Sequence, residues 1–188
     1  VRSRGLGDVY KRQDMGSKIR FNVAKFGAKV ASQVSKFGFG SGNNLPGYVF
    51  YKIAGKEALK DLAHEMSIGP ILITGTNGKT TTTTLLIKLL SADTKIRKSF
   101  ESNTIHAITT GILKGDGDLG VFEYGIRNKS YGIPDTVQRL IDPVGVVYTT
   151  ISREHSQVAG VKNPFEEYVD AKSLLLSLIH ISEPTRPY

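Results

Sequence analysis

The sequence predicts a parallel α/β fold with a phosphate-binding loop, preceded by a short helical segment and truncated at its C-terminal end. Two observations carry this. From Pro70 to Leu90, PILITGTNGKTTTTTLLIKLL reads as a short apolar strand, a glycine loop and a helix. Two further apolar runs, Leu119–Tyr124 (LGVFEY) and Val144–Ile151 (VGVVYTTI), alternate with helical patterns, as strands of a parallel sheet do. The second is β-branched and nearly unbroken, the pattern expected of a strand covered on both faces.

The two ends do not read as protein. A DNA encoding Ser3–Gln13 (SRGLGDVYKRQ) has a reverse complement that encodes LSLIHISEPTR, which is Leu176–Arg186. An inverted repeat of DNA at both ends is not how a domain is encoded, and it resembles translated transposon-end sequencing adaptor. Residues 1–13 and 176–188 are therefore set aside, leaving residues 14–68 as a helical N-terminal segment and 69–175 as part of a nucleotide-binding domain. Met15 is the expected start, and the C-terminal end is expected to be a truncation.

Of the 188 residues, 25 are Lys or Arg and 17 Asp or Glu, a formal charge of +8. The first end contributes Arg2, Arg4, Lys11 and Arg12 against Asp8, and the second Arg186 against Glu183, so the rest carries about +5. Phosphate-bearing substrates account for that excess, and no aromatic and basic interleaving suggests a nucleic-acid partner. There is no cysteine, which removes disulfide and thiolate-metal chemistry. No apolar run reaches the ~18 residues of a membrane span and no secretory signal follows Met15, so a cytoplasmic location is expected.

Taken in order, Lys18–Phe39 sets Ile19, Val23, Phe26, Val30, Val34 and Phe37 on one helical stripe, with Lys18, Arg20, Lys25, Lys29 and Lys36 largely off it. Such a helix is expected to pack its stripe on its own domain. The alternative is peripheral contact with an anionic membrane. Gly38–Gly47 (GFGSGNNLPG) reads as a loop, and Tyr48–Met66 as a second helical stretch interrupted at Gly55. After the loop helix, Ser91–Ser102 is polar and charged and Asn103–Leu113 mixed, and neither is assigned an element. Pro134–Ile141 starts a helix with proline in its first turn, and Pro164–Leu175 (PFEEYVDAKSLL) forms another.

The loop Gly75-Thr76-Asn77-Gly78 supplies glycines where a backbone must approach phosphate oxygens. Its N–H groups, with those of Thr80 and Thr81 at the helix start, point at an anion. Lys79 is expected to reach the terminal phosphates of ATP and the Thr80 hydroxyl to hold Mg²⁺. Ile73 stands where the strict phosphate-loop pattern has its first glycine. Ligands collect at the carboxyl ends of parallel strands, so Glu123 and the Ser152–His155 segment should converge on this loop. Glu123 and His155 are donors suited to a divalent cation beside the phosphates.

Taken together, ITGTNGKTT, the Glu123 strand, His155 after TTISRE, and YVDAK ending at Lys172 resemble the central ATPase domain of the Mur ligases, enzymes that join an amino acid or peptide to a carboxylate. The resemblance covers roughly Ile71–Leu175. It implies that Thr80 holds one Mg²⁺, that Glu123 and His155 hold a second, and that Lys172 is carbamylated and braces that second ion, with Lys79, Glu123, His155 and Lys172 as the catalytic set. It also implies an ATP-dependent carboxylate–amine ligase of cell-wall peptide synthesis acting through an acyl phosphate. Its partners would be ATP, a nucleotide- or lipid-linked peptide carboxylate, and an amino acid or ammonia.

Only about 55 residues separate Met15 from the loop strand, fewer than the uridine-nucleotide domain of ordinary Mur ligases. That short start and NNLPG resemble two branches, the archaeal pseudomurein peptide ligases and the lipid II amidating synthetase subunit, whose partner would be a glutaminase. His155 and Lys172 favour the first. Folylpolyglutamate synthase and cyanophycin synthetase are more distant options, and a P-loop NTPase or nucleotide kinase of another class is the rival reading. The chain alone is not expected to be active, since the amino-acid-binding domain of the family would lie beyond Leu175.

Overall fold

The computed structural model describes residues 4–36, 42–99, 104–130, 133–153 and 162–175, with side chains from Gly16 onward. Seven helices and four strands alternate in the described chain: α1 (Arg4–Lys36), α2 (Leu45–Ala54), α3 (Ala58–Ala63), β1 (Gly69–Thr74), α4 (Lys79–Leu90), β2 (Ile96–Ser99), α5 (Ile105–Lys114), β3 (Leu119–Glu123), α6 (Pro134–Ile141), β4 (Gly145–Tyr148) and α7 (Pro164–Ser173). The strands form one parallel sheet in the order β2-β3-β1-β4. The parallel α/β fold is therefore as expected, with the loop-bearing strand β1 inside the sheet. The chain runs from β1 to one edge, returns to β3 and then crosses to β4 on the other side of β1. That places the carboxyl end of β1 at a switch point, where ligands of such sheets bind.

The two faces of the sheet are unequally covered. On one, Leu72, Phe122 and Tyr124 join Phe50, Leu59, Leu62, Ile108, Val137, Leu140 and Ala171 in the main core. On the other, Ile73, Val121, Leu119 and Ile87 of α4 form a smaller cluster. The outer side of α4 leaves Leu85 and Leu89 exposed.

Several expectations are corrected. A strand, β2, and a helix, α5, occupy the stretches read as polar and mixed. α2 begins at Leu45, inside the stretch read as loop, because Pro46 fits the first turn of a helix; it ends at Gly55, whose φ of 84° suits a glycine. β4 lies at a sheet edge and is half-buried, not covered on both faces. α1 runs from Arg4 to Lys36, a longer helix than the stripe starting at Lys18 predicts. Its packing is also inverted. Ala24, Ala28 and Ala31 face the core, and Phe21 meets Phe50 edge-on with ring centroids 5.5 Å apart. The stripe Ile19, Val23, Phe26, Val30 and Val34 is exposed, because small side chains let α1 lie closer to α2 than the larger ones could. Phe37 lies outside the described residues.

Candidate active site

The site is assembled where β1, β3 and β4 end. Ile73 pairs with Glu123 and Thr74 with Tyr148, so the three exits lie side by side. β1 turns into the glycine loop, with φ of 149° at Gly75 and 83° at Gly78. Both values are open to glycine and strained for other residues. A Cβ on Gly75 would also collide with the Thr149 hydroxyl. The loop is thus a cradle of close backbone that side chains would fill, and it leads straight into α4 at Lys79.

Residues leaving β4 hold the loop from the other side. Thr76 N–H donates to the Thr150 carbonyl (2.6 Å) and Asn77 N–H to the Thr150 hydroxyl (3.1 Å). The Thr149 hydroxyl donates to the Asn77 carbonyl at 2.5 Å. The buried Thr76 hydroxyl accepts from Ser152 N–H at 2.9 Å and lies 2.8 Å from the Tyr168 phenol of α7. Burial pushes the Tyr168 phenol up, and the hydrogen bond with Thr76 offsets part of that shift.

Four of the candidate side chains, Lys79, Thr80, Glu123 and Lys172, lie around the start of the loop and of α4. Lys79 Nζ donates to the carbonyls of Gly75 (3.0 Å) and Thr76 (2.9 Å), which keeps the ammonium over the loop. The Thr80 hydroxyl donates to Glu123 Oε2 at 2.8 Å, and Glu123 is buried. Glu123 is therefore positioned beside the first turn of α4, and the two side chains form a pair of oxygens of the kind that hard cations take. Thr81 is exposed in that same turn. His155 lies outside the described residues, and among those described no cluster of three His, Asp or Glu residues is present.

Lys172 is 1% exposed, at the inner side of the loop. Its Nζ donates to the Thr74 hydroxyl at 3.1 Å and lies 4.6 Å from the centroid of the Tyr168 ring. Among the described residues it has no carboxylate partner. Burial, with Lys79 nearby, lowers its pKa to about 8, which makes the amine far more available than that of a solvated lysine. The Tyr148 phenol donates to the Lys172 carbonyl at 2.7 Å and is pushed by burial to about 12. Sequence reasoning missed Thr74, Thr149, Thr150 and Tyr168. Tyr168 alone left a signal, standing one helical turn before Lys172 and so on the same face.

The fit to a nucleotide and a hard cation rests on the glycine cradle and on the Thr80–Glu123 oxygen pair beside Lys79. The model of the Mur ligase middle domain matches residues 73–183. A UDP-N-acetylmuramoyl-tripeptide--D-alanyl-D-alanine ligase of Borreliella burgdorferi is 36% identical over 100 residues, covering 51% of this chain and 21% of that protein. Two crystal structures of MurF from Acinetobacter baumannii share the fold. One has a TM-score of 0.54 at 18% identity over 71% of this chain and 27% of its own, the other 0.53 at 21% over 65% and 28%. The chain thus spans 21% to 28% of the length of these relatives. With the matched model covering more than half its length, the chain belongs to the Mur ligase middle domain family.

Proposed function

We propose that this chain is the ATP-binding part of a ligase that joins an amine to a peptide carboxylate in cell-wall synthesis. The observation that carries the reading is the contact of Thr80 with Glu123 beside Lys79, at the mouth of a glycine loop. ATP would lie with its phosphates on the N–H groups of Gly75–Thr81, and Lys79 would counter the charge of the transferred phosphoryl. Thr80 and Glu123 would hold Mg²⁺, which supplies charge neutralisation for that transfer. A substrate carboxylate oxygen attacks the γ-phosphorus, and ADP leaves. An amine then attacks the acyl carbon of the resulting acyl phosphate, and inorganic phosphate departs with the C–O electron pair. Carboxylate oxygen is a poor leaving group and phosphate a good one, so ATP divides one hard step into two.

The buried Lys172 amine supports the peptide-ligase branch over the amidating one. With its pKa lowered to about 8 and no carboxylate partner among the described residues, Lys172 holds part of its amine in the neutral form that adds CO₂ and loses a proton to give a carbamate, which would brace a cation with His155. The test is ADP release by the reading frame extended to the length of its relatives. The acceptors are nucleotide- and lipid-linked peptide carboxylates, each with free amino acids or with glutamine. Release that needs an amino acid, and is lost in Lys79→Ala, is the expected result. Release that needs glutamine or ammonia would assign the amidating reaction, and ATP turnover independent of any acceptor would overturn the ligase reading.

A further inference from the structure

We propose that α1 is a membrane-docking face that lays its exposed apolar stripe on an anionic lipid surface. The proposal does not rest on the ligase reading. Ile19, Val23, Phe26, Val30 and Val34 are between 42% and 70% exposed, although each would be buried in an ordinary amphipathic helix. At about 100° per residue they fall within roughly an 80° arc, over about 22 Å of helix. An unbroken apolar strip of that length on a folded surface marks a contact site.

Charge identifies what covers it. Between Met15 and Lys36 there are five Lys or Arg residues (Lys18, Arg20, Lys25, Lys29, Lys36) and no Asp or Glu. By the same helical geometry the four lysines share one side of the stripe and Arg20 lies on the other. Beside Phe26 the lysine side opens into a groove of about 430 Å³ lined by Lys25, Lys29, Lys114, Pro46 and Leu113. Acidic groups stand at the edges of this face: Glu65 is held by Lys25 at 2.6 Å and by Arg97 at 3.6 Å, and Glu57 and Asp61 line a pocket with Arg20 on the far side. A stripe of apolar side chains edged by lysines matches the boundary between acyl chains and anionic headgroups, with the lysine stems lying along the apolar surface and their ammonium groups in the headgroup layer. A second copy of the chain fits less well, because an antiparallel two-fold pair would set one row of lysines against another and a parallel pair would set each row against Arg20.

The test is co-sedimentation of the chain with vesicles of phosphatidylcholine, with and without phosphatidylglycerol. Binding to the phosphatidylglycerol vesicles, weakened by salt, is expected. Val23→Ser/Phe26→Ser should lower that binding about tenfold or more, because two exposed apolar anchors are lost and no core residue is touched. Lys29→Glu/Lys36→Glu should lower it similarly, while Leu89→Ser on α4, also an exposed leucine, should leave it unchanged. Circular dichroism confirms that each variant keeps its helices. Equal binding by the parent and Val23→Ser/Phe26→Ser would overturn the proposal. So would binding that ignores phosphatidylglycerol, no binding at all, or a dimer that depends on Phe26 while vesicles go unbound.

Discussion

Thr76→Val is nearly isosteric and removes one hydroxyl from the centre of the loop's support. In the folded protein that oxygen accepts from Ser152 N–H at 2.9 Å and meets the Tyr168 phenol at 2.8 Å. Thr76 and Tyr168 are 2% and 1% exposed, so water does not readily replace what is lost. A polar group left buried without a partner costs about 1–3 kcal/mol. With two groups affected, one of them only half-buried, the expected loss is about 2–4 kcal/mol. At a urea slope of about 2 kcal/mol per molar, the unfolding midpoint followed by circular dichroism should fall by about 1–2 M. Tyr168→Phe should cost less. The double variant should cost about 1 kcal/mol less than the sum of the singles, because both remove the same contact. A Thr76→Val protein within about 0.5 kcal/mol of the parent, or strict additivity with Tyr168→Phe, would refute the view that this hydroxyl joins loop, β4 exit and α7.

Other outcomes follow from the same site. Lys172 has a folded pKa of about 8, below the unfolded value of about 10.4, so between those pH values the unfolded chain holds a proton that the folded chain has released. Stability conferred through this group therefore rises with pH across the window, by at most about 3 kcal/mol, and Lys172→Met should abolish the rise. The raised Tyr148 phenol acts oppositely above about pH 10, so the measurement is the difference between parent and variant melts; a difference that is flat from pH 8 to 10 would contradict the assignment. Gly75→Ala should abolish binding of a fluorescent ATP analogue, since its φ and the Thr149 hydroxyl both exclude a Cβ. Retention of full affinity would mean that the loop is not the cradle.

The geometry of the loop was legible because a glycine turn between a buried strand and a helix leaves local marks. GTNGKTT follows an apolar run directly, and the structure ends β1 at Thr74 and starts α4 at Lys79. Glu123 could be placed because a parallel sheet gathers strand ends. The supporting contacts were not legible, since Thr76 reaches Ser152 and Tyr168 across 76 and 92 residues and nothing local marks those pairs. α5 hid for another reason. Ala107 to Ile112 are all buried, so the helix has no polar face to reveal its period, and its Gly111 is there because a Cβ would come within 2.8 Å of the Lys98 carbonyl. β2 hid behind its charges: Arg97 looks like loop, yet its guanidinium is buried and donates to the carbonyls of Gly117 (2.7 Å) and Ile112 (2.8 Å). In α1 the period was read correctly and the wrong face was assigned to the core. Hydrophobicity favoured the valines and Phe26, while close helix packing selected the alanines.

The attachment of the glycine loop to the end of β4 also sets an order of events. Its anchors, Thr149, Thr150 and Ser152, emerge from the ribosome more than seventy residues after the loop itself. Until β4 docks beside β1, Gly75–Gly78 is held only by its own helix, and ordering it must overcome the entropy of closing that long span. On the proposed reading, nucleotide affinity then waits for the docking of β4, whatever the loop's own sequence supplies. A nascent chain halted before Thr149 would carry the whole GTNGKTT motif and still bind ATP poorly.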